Sequence, residues 1–113
     1  MASAEREARA TRSVALFNNR YFAEVAEESL RVSNAGRDMI TTRMIASASG
    51  LADSLVRPVL LRFVDAQILD KLPRAGGGRS PQYYMVLEPD LLEAISRLAP
   101  TRGRNDDATP ADR

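Results

Sequence analysis

Any chemistry in this chain must come from arginine, hydroxyl groups and carboxylates, because the sequence contains neither histidine nor cysteine. That removes the commonest general base, the most reactive nucleophile and the main transition-metal ligands together. Disulfides, thiolate metal sites and thiol sensing go with them. Lys71 is the single lysine, and no pair of carboxylates stands out for acid–base work. An enzyme is therefore not expected, and neither a cofactor nor a metal is. Glu24, Glu27 and Glu28 cluster on one predicted helix, but carboxylates alone on a surface bind divalent ions weakly, so a solvated face is expected there. More informative is how charge is divided along the chain. Residues 1–40 hold six arginines against six acids, and residues 88–113 hold four arginines against six acids. Between them, Arg43, Arg57, Arg62, Lys71, Arg74 and Arg79 face only Asp53, Asp65 and Asp70. The middle segment is where an anionic partner would be met.

The elements that must position these cations can be read from periodicity. With 113 residues the chain has room for one domain and one modest core. The expected division is a flexible segment 1–12, a domain 13–99 and a disordered tail 100–113. The tail, TRGRNDDATPADR after Pro100, has nothing beyond alanine to bury. Val14, Phe17, Tyr21 and Val25 recur at helical steps with Phe22 and Leu30 beside them, predicting one helix from Ser13 to Ser33. Arg20, Glu24, Glu27, Glu28 and Arg31 take its other face, and Asn34-Ala35-Gly36 ends it. Phe17, Tyr21 and Phe22 are expected as core and dimer contacts. Thr41 is a good N-cap for a short helix Thr42–Ser49, with Ile40 and Ile45 placed as a hydrophobic staple. Gly50 breaks that helix, Leu51 pivots, and a second helix carries Val56, Leu60 and Phe63 to about Gln67. Two helices joined at a glycine turn are a helix-turn-helix unit.

Ile68–Leu72 and Gln82–Leu87 flank a Gly-rich stretch, Pro73–Pro81, and read as a β-hairpin. Of Tyr83 and Tyr84, alternation puts one in the core and the other outside. A last helix, Pro89–Leu98, starts with proline at its first position and Asp90 and Glu93 near its positive end. No apolar run approaches the roughly 18 residues of a membrane span. The stretch MASAEREARATRS has no apolar core of a secretory signal, so a cytoplasmic protein with no membrane contact is expected.

From Ile40 to Leu87 the pattern resembles the winged helix-turn-helix of ArsR- and MarR-type bacterial transcription regulators. The matching features are the helix Thr42–Ser49, the turn Gly50-Leu51, the second helix with Leu60, Phe63 and Gln67-Ile68-Leu69, and the hairpin closing on Tyr83-Tyr84-Met85-Val86-Leu87. The Gly-rich loop is also similar to that of iron–sulfur-sensing winged-helix repressors, whose chemistry needs cysteines this chain lacks. The implied fold class is α+β, mainly α: a winged helix-turn-helix with a two-stranded β-hairpin wing and flanking N- and C-terminal helices. The implied function is sequence-specific binding of double-stranded DNA as a homodimer joined through the first and last helices, in transcription regulation. In that scheme Ser54, Leu55 and Arg57 face base edges in the major groove. Thr42 and Arg43 meet phosphate at the start of the preceding helix, Arg62 is a further DNA contact, and Arg74 and Arg79 clamp backbone or minor groove from the wing.

Two features fit this scheme poorly. Pro58 falls inside the recognition helix, where it is harmless if Ser54 is the N-cap and should kink the helix if it begins at Ala52 or Asp53. Leu61 shares the outward face with Arg57 and Pro58. An apolar face of Leu55, Pro58 and Leu61 would suit the alternative reading, a winged-helix protein-interaction module or adaptor subunit of a larger assembly.

Overall fold

The described residues form five helices and one small sheet, and what ends most of these elements is local. The computed structural model describes residues 3–74 and 80–98. The helices are α1 (Ser3–Phe17), α2 (Phe22–Val32), α3 (Thr42–Ser49), α4 (Asp53–Asp65) and α5 (Pro89–Ser96). Strand β1 (Leu69–Lys71) pairs antiparallel with β2 (Tyr84–Val86), Leu69 opposite Val86 and Lys71 opposite Tyr84. The class is α+β and mainly α, as expected. The expected tail 100–113, and Arg79 in the hairpin loop, lie outside the described residues.

The single helix expected over Ser13–Ser33 is instead two helices. Asn18 takes a left-handed conformation with φ 57°, which a helix cannot continue through. The Asn19 side chain then accepts from the Tyr21 amide at 2.9 Å, and the buried Ser13 hydroxyl accepts from the Ala23 amide at 3.2 Å. The turn folds Phe17 onto Phe22, ring centroids 4.3 Å apart, and Phe22 meets Phe63 edge-on at 4.8 Å. Val14, which shares the apolar helical spacing, is 47% exposed. Helix α1 also takes up most of the segment expected as a flexible lead-in. From it Arg6 reaches Glu24 of α2 and the carbonyl of Ser49 at the end of α3. Glu24 is accordingly buried, a correction to the solvated acidic face.

Helix α2 is the hub, packed against α1, α3, α4 and α5. It ends where Asn34, Ala35 and Gly36 all have positive φ. A Cβ on Gly36 would stand 3.3 Å from Cβ of Pro89, so glycine is what lets this corner sit against the start of α5. Thr41 caps α3, its hydroxyl accepting from the Met44 amide at 3.2 Å. Ile40 and Ile45, on either side of that cap, are both fully buried. Gly50 closes α3 with φ 77°.

Helix α4 starts from Ala52 with no side-chain cap and contains Pro58. Ser54 is therefore not the N-cap, and Pro58 stands inside the helix, on its exposed side. Proline has no N–H to give the Ser54 carbonyl, and both residues lie on the solvent-exposed side of the helix, where that loss costs less. The helix stops at Asp65, short of the expected Gln67, which is left-handed at φ 62°. Val56, Val59, Leu60 and Phe63 line its inner side and are fully buried. They join Val25, Ile40, Ile45, Leu69 and Leu92 in one continuous core. Burying each such side chain stabilises the fold by roughly 1.5–3 kcal/mol before the entropy of ordering is subtracted. Ile40 also bonds Tyr84 in both directions, at 2.9 and 2.8 Å. That bridge ties the segment before α3 to the hairpin.

Candidate nucleic-acid interface

The start of α3, the outer side of α4 and the base of the hairpin enclose a cleft of about 600 Å³. Arg43, Arg57, Lys71 and Arg74 line it together with one carboxylate, Asp53. Each cation has a local reason to be there. Arg43 is the second residue of α3, beyond the Thr41 cap. Arg57 follows Asp53 by four residues on α4, so the two share a side. On β1, side chains alternate, and Leu69 faces the core while Lys71, two residues on, continues the same face past the core's edge. Arg74 is fixed to the loop's return by a 3.0 Å bond from its Nε to the Ser80 carbonyl. The Gln82 amide donates to the carbonyls of Leu72 and Tyr83, holding the two arms of the hairpin in place.

Arg57 and Lys71 are exposed, and among the described residues neither side chain makes a hydrogen bond or ion pair. Arg43 Nε stands 3.5 Å from Asp53 Oδ2, with the arginine side chain 79% and the aspartate 37% exposed. A pair so open to water contributes at most about 1 kcal/mol, so an incoming anion can draw Arg43 away. Four cations against one carboxylate in a concave, partly apolar setting give a local positive potential larger than the chain's net charge of +1 suggests.

Of the eight residues expected to contact DNA, Thr42, Arg43, Arg57 and Arg74 are brought together in this cleft. Thr42 is buried, so only its rim position is available. Ser54 is exposed on α4 but outside the cleft. Leu55 is exposed as well, about 160° around the helix axis from Arg57 at 100° per residue. Arg62 is turned toward the α1–α2 corner. Its guanidinium donates to the Phe17 carbonyl at 2.8 Å and lies 5.2 Å from the Phe22 ring centroid. Arg62 thus covers the end of α1 and does not line the cleft. Lys71 belongs to the cleft but was counted only as bulk charge, although strand alternation from the buried Leu69 could have singled it out.

Tyr84 is the core tyrosine and also forms part of the cleft wall, while Tyr83 is 41% exposed. Among the described residues no group of three or more Asp or Glu is placed to hold a metal ion, and no helix is long and apolar enough to cross a membrane. Neither a known family, nor a curated protein, nor a solved structure matches this chain.

Proposed function

We propose that the chain is a winged helix-turn-helix regulator that binds double-stranded DNA as a homodimer, with α4 in the major groove and the hairpin as the wing. The observation that carries this reading is the convergence of Arg43, Arg57, Lys71 and Arg74 on one cleft beside an exposed helix. A phosphate strand entering the cleft meets Arg43, Lys71 and Arg74, while Arg57 and the outward side of α4 meet base edges. The element order from α2 through the Ile40–Tyr84 bridge, α3, α4 and the β1–β2 hairpin supports the fold assignment. Dimerisation through the first and last helices is supported by apolar side chains left on them, Val14 and Leu16 on α1 and Leu91 on α5, at 47%, 62% and 45% exposure. Without histidine or cysteine, and with four basic residues in its cleft, the chain is better equipped to bind an anion than to transform one.

The test is a fluorescence titration with random-sequence and genomic upstream duplexes at two salt concentrations. Three phosphate contacts per subunit give six per dimer, for which affinity should fall about a thousandfold between 50 and 200 mM salt. One upstream duplex should also outcompete random sequence. A folded dimer that binds no duplex at low salt would overturn the reading. That outcome favours a protein-interaction module instead, for which the observation is the exposed stripe Leu55, Pro58 and Leu61 along α4.

A further inference from the structure

Asp53 is out of place in a cleft built for anions. It stands at the first position of α4, four residues before Arg57, and it is the only carboxylate lining the cleft among the described residues. An acid there complements the helix dipole, but so would a serine or threonine N-cap, and α4 has no side-chain cap at all. Its carboxylate stands 3.5 Å from Arg43 of the neighbouring helix, an open pair that a phosphate can separate. A phosphate drawn to Arg43 and Arg57 must approach this negative charge, so Asp53 weakens contacts made with the backbone alone. Against a base edge the balance reverses. A carboxylate accepts a hydrogen bond from an exposed amino group, cytosine N4 being its usual partner, while an arginine on the same side donates to guanine O6 and N7.

We infer that Asp53 is a specificity-determining residue: it penalises binding through phosphates alone and accepts a hydrogen bond from a cytosine amino group next to the base that Arg57 reads. This rests on the proposed DNA-binding reading. On it, the preferred duplex has a G·C pair at each of two neighbouring positions of the half-site, one read by Arg57 and one by Asp53.

The experiment compares the wild-type chain with D53A and D53N on the selected duplex, on its single-base-pair variants across the half-site, and on random duplex. D53A should bind random duplex roughly threefold to tenfold more tightly at low salt, as expected for removing one charge per subunit several ångströms from a phosphate. It should also lose the preference for cytosine at one position while keeping the others. D53N, whose amide can pair with adenine, should shift preference toward adenine at that same position. A D53A protein that binds all duplexes more tightly by one common factor, with every base preference intact, would overturn the inference and leave the DNA-binding reading standing. Failure of the wild-type protein to bind any duplex would instead strike at that reading itself. Circular dichroism of both variants checks that α4 is intact.

Discussion

Replacing Arg62 with alanine should destabilise the fold without touching DNA binding. The guanidinium donates at 2.8 Å to the carbonyl of Phe17, the last residue of α1, one of the groups a helix end leaves unpaired. Its charge also complements the negative end of the helix dipole. At an exposed position such a bond contributes about 1 kcal/mol. The contact with the Phe22 face, 5.2 Å from the ring centroid, adds about 0.5–1 kcal/mol. The expected loss is therefore about 1–2 kcal/mol, and each kcal/mol should lower the melting temperature by roughly 4–8 °C in a domain of this size. Urea denaturation followed by far-UV circular dichroism measures it directly. R62K, which keeps the charge but loses the flat stacking group, should fall between the two. An unchanged urea midpoint for R62A would refute the assignment of Arg62 to the α1–α2 corner. So would a folded R62A whose DNA affinity and salt slope both drop, since that would return Arg62 to the interface.

Further expectations follow from particular side chains. R57A should relax base preference as well as weaken binding, whereas K71A should weaken binding to all sequences alike. K71A should also flatten the logarithmic salt slope by roughly 2 in a dimer, as titrations at several salt concentrations would show. G36A should cost clearly more stability than G50A. Both positions have positive φ, but only at Gly36 would the added Cβ crowd Pro89, at 3.3 Å, while Gly50 has open space around it. Burial raises the Glu28 carboxyl above its ordinary value, an effect the neighbouring Arg31 offsets only in part. The folded state therefore binds the proton more tightly than the unfolded chain, and the charged form is penalised at neutral pH. E28Q should accordingly be more stable than wild type at pH 7. Its advantage should shrink as pH falls through the raised value, measured as the difference between the two urea midpoints.

Most of the fold could be read from signals within a few residues of one another. Thr41, Gly50 and Asn34-Ala35-Gly36 mark element ends through capping and left-handed backbone, which depend on local chemistry alone. The strand segments followed from alternation, and their pairing places Tyr84 rather than Tyr83 in the core. What could not be read was the turn at Asn18-Asn19. It carries neither glycine nor proline, and the apolar spacing from Val14 to Val25 runs straight across it. The break becomes favourable only because Phe17 can stack on Phe22 and Ser13 can serve the Ala23 amide once the chain has folded back. The same missed turn explains the other errors. With α1 drawn as an extension of α2, nothing could show that Arg6 would meet Glu24, or that Arg62 would find the end of a helix. The candidate site was half legible. Arg43, Arg57 and Arg74 stood out by type and position, and strand alternation held a signal for Lys71, but that Asp53 opposes them depends on tertiary geometry.

The most direct test of the central claim is a nuclear magnetic resonance titration of the labelled chain with a bound duplex at low salt. The account predicts that signals of Arg43, Arg57, Lys71 and Arg74, together with the outward side of α4, shift and broaden, while those of α1 and α5 away from the cleft stay in place. Shifts confined to α1 and α5, or none at all from a folded protein, would contradict it.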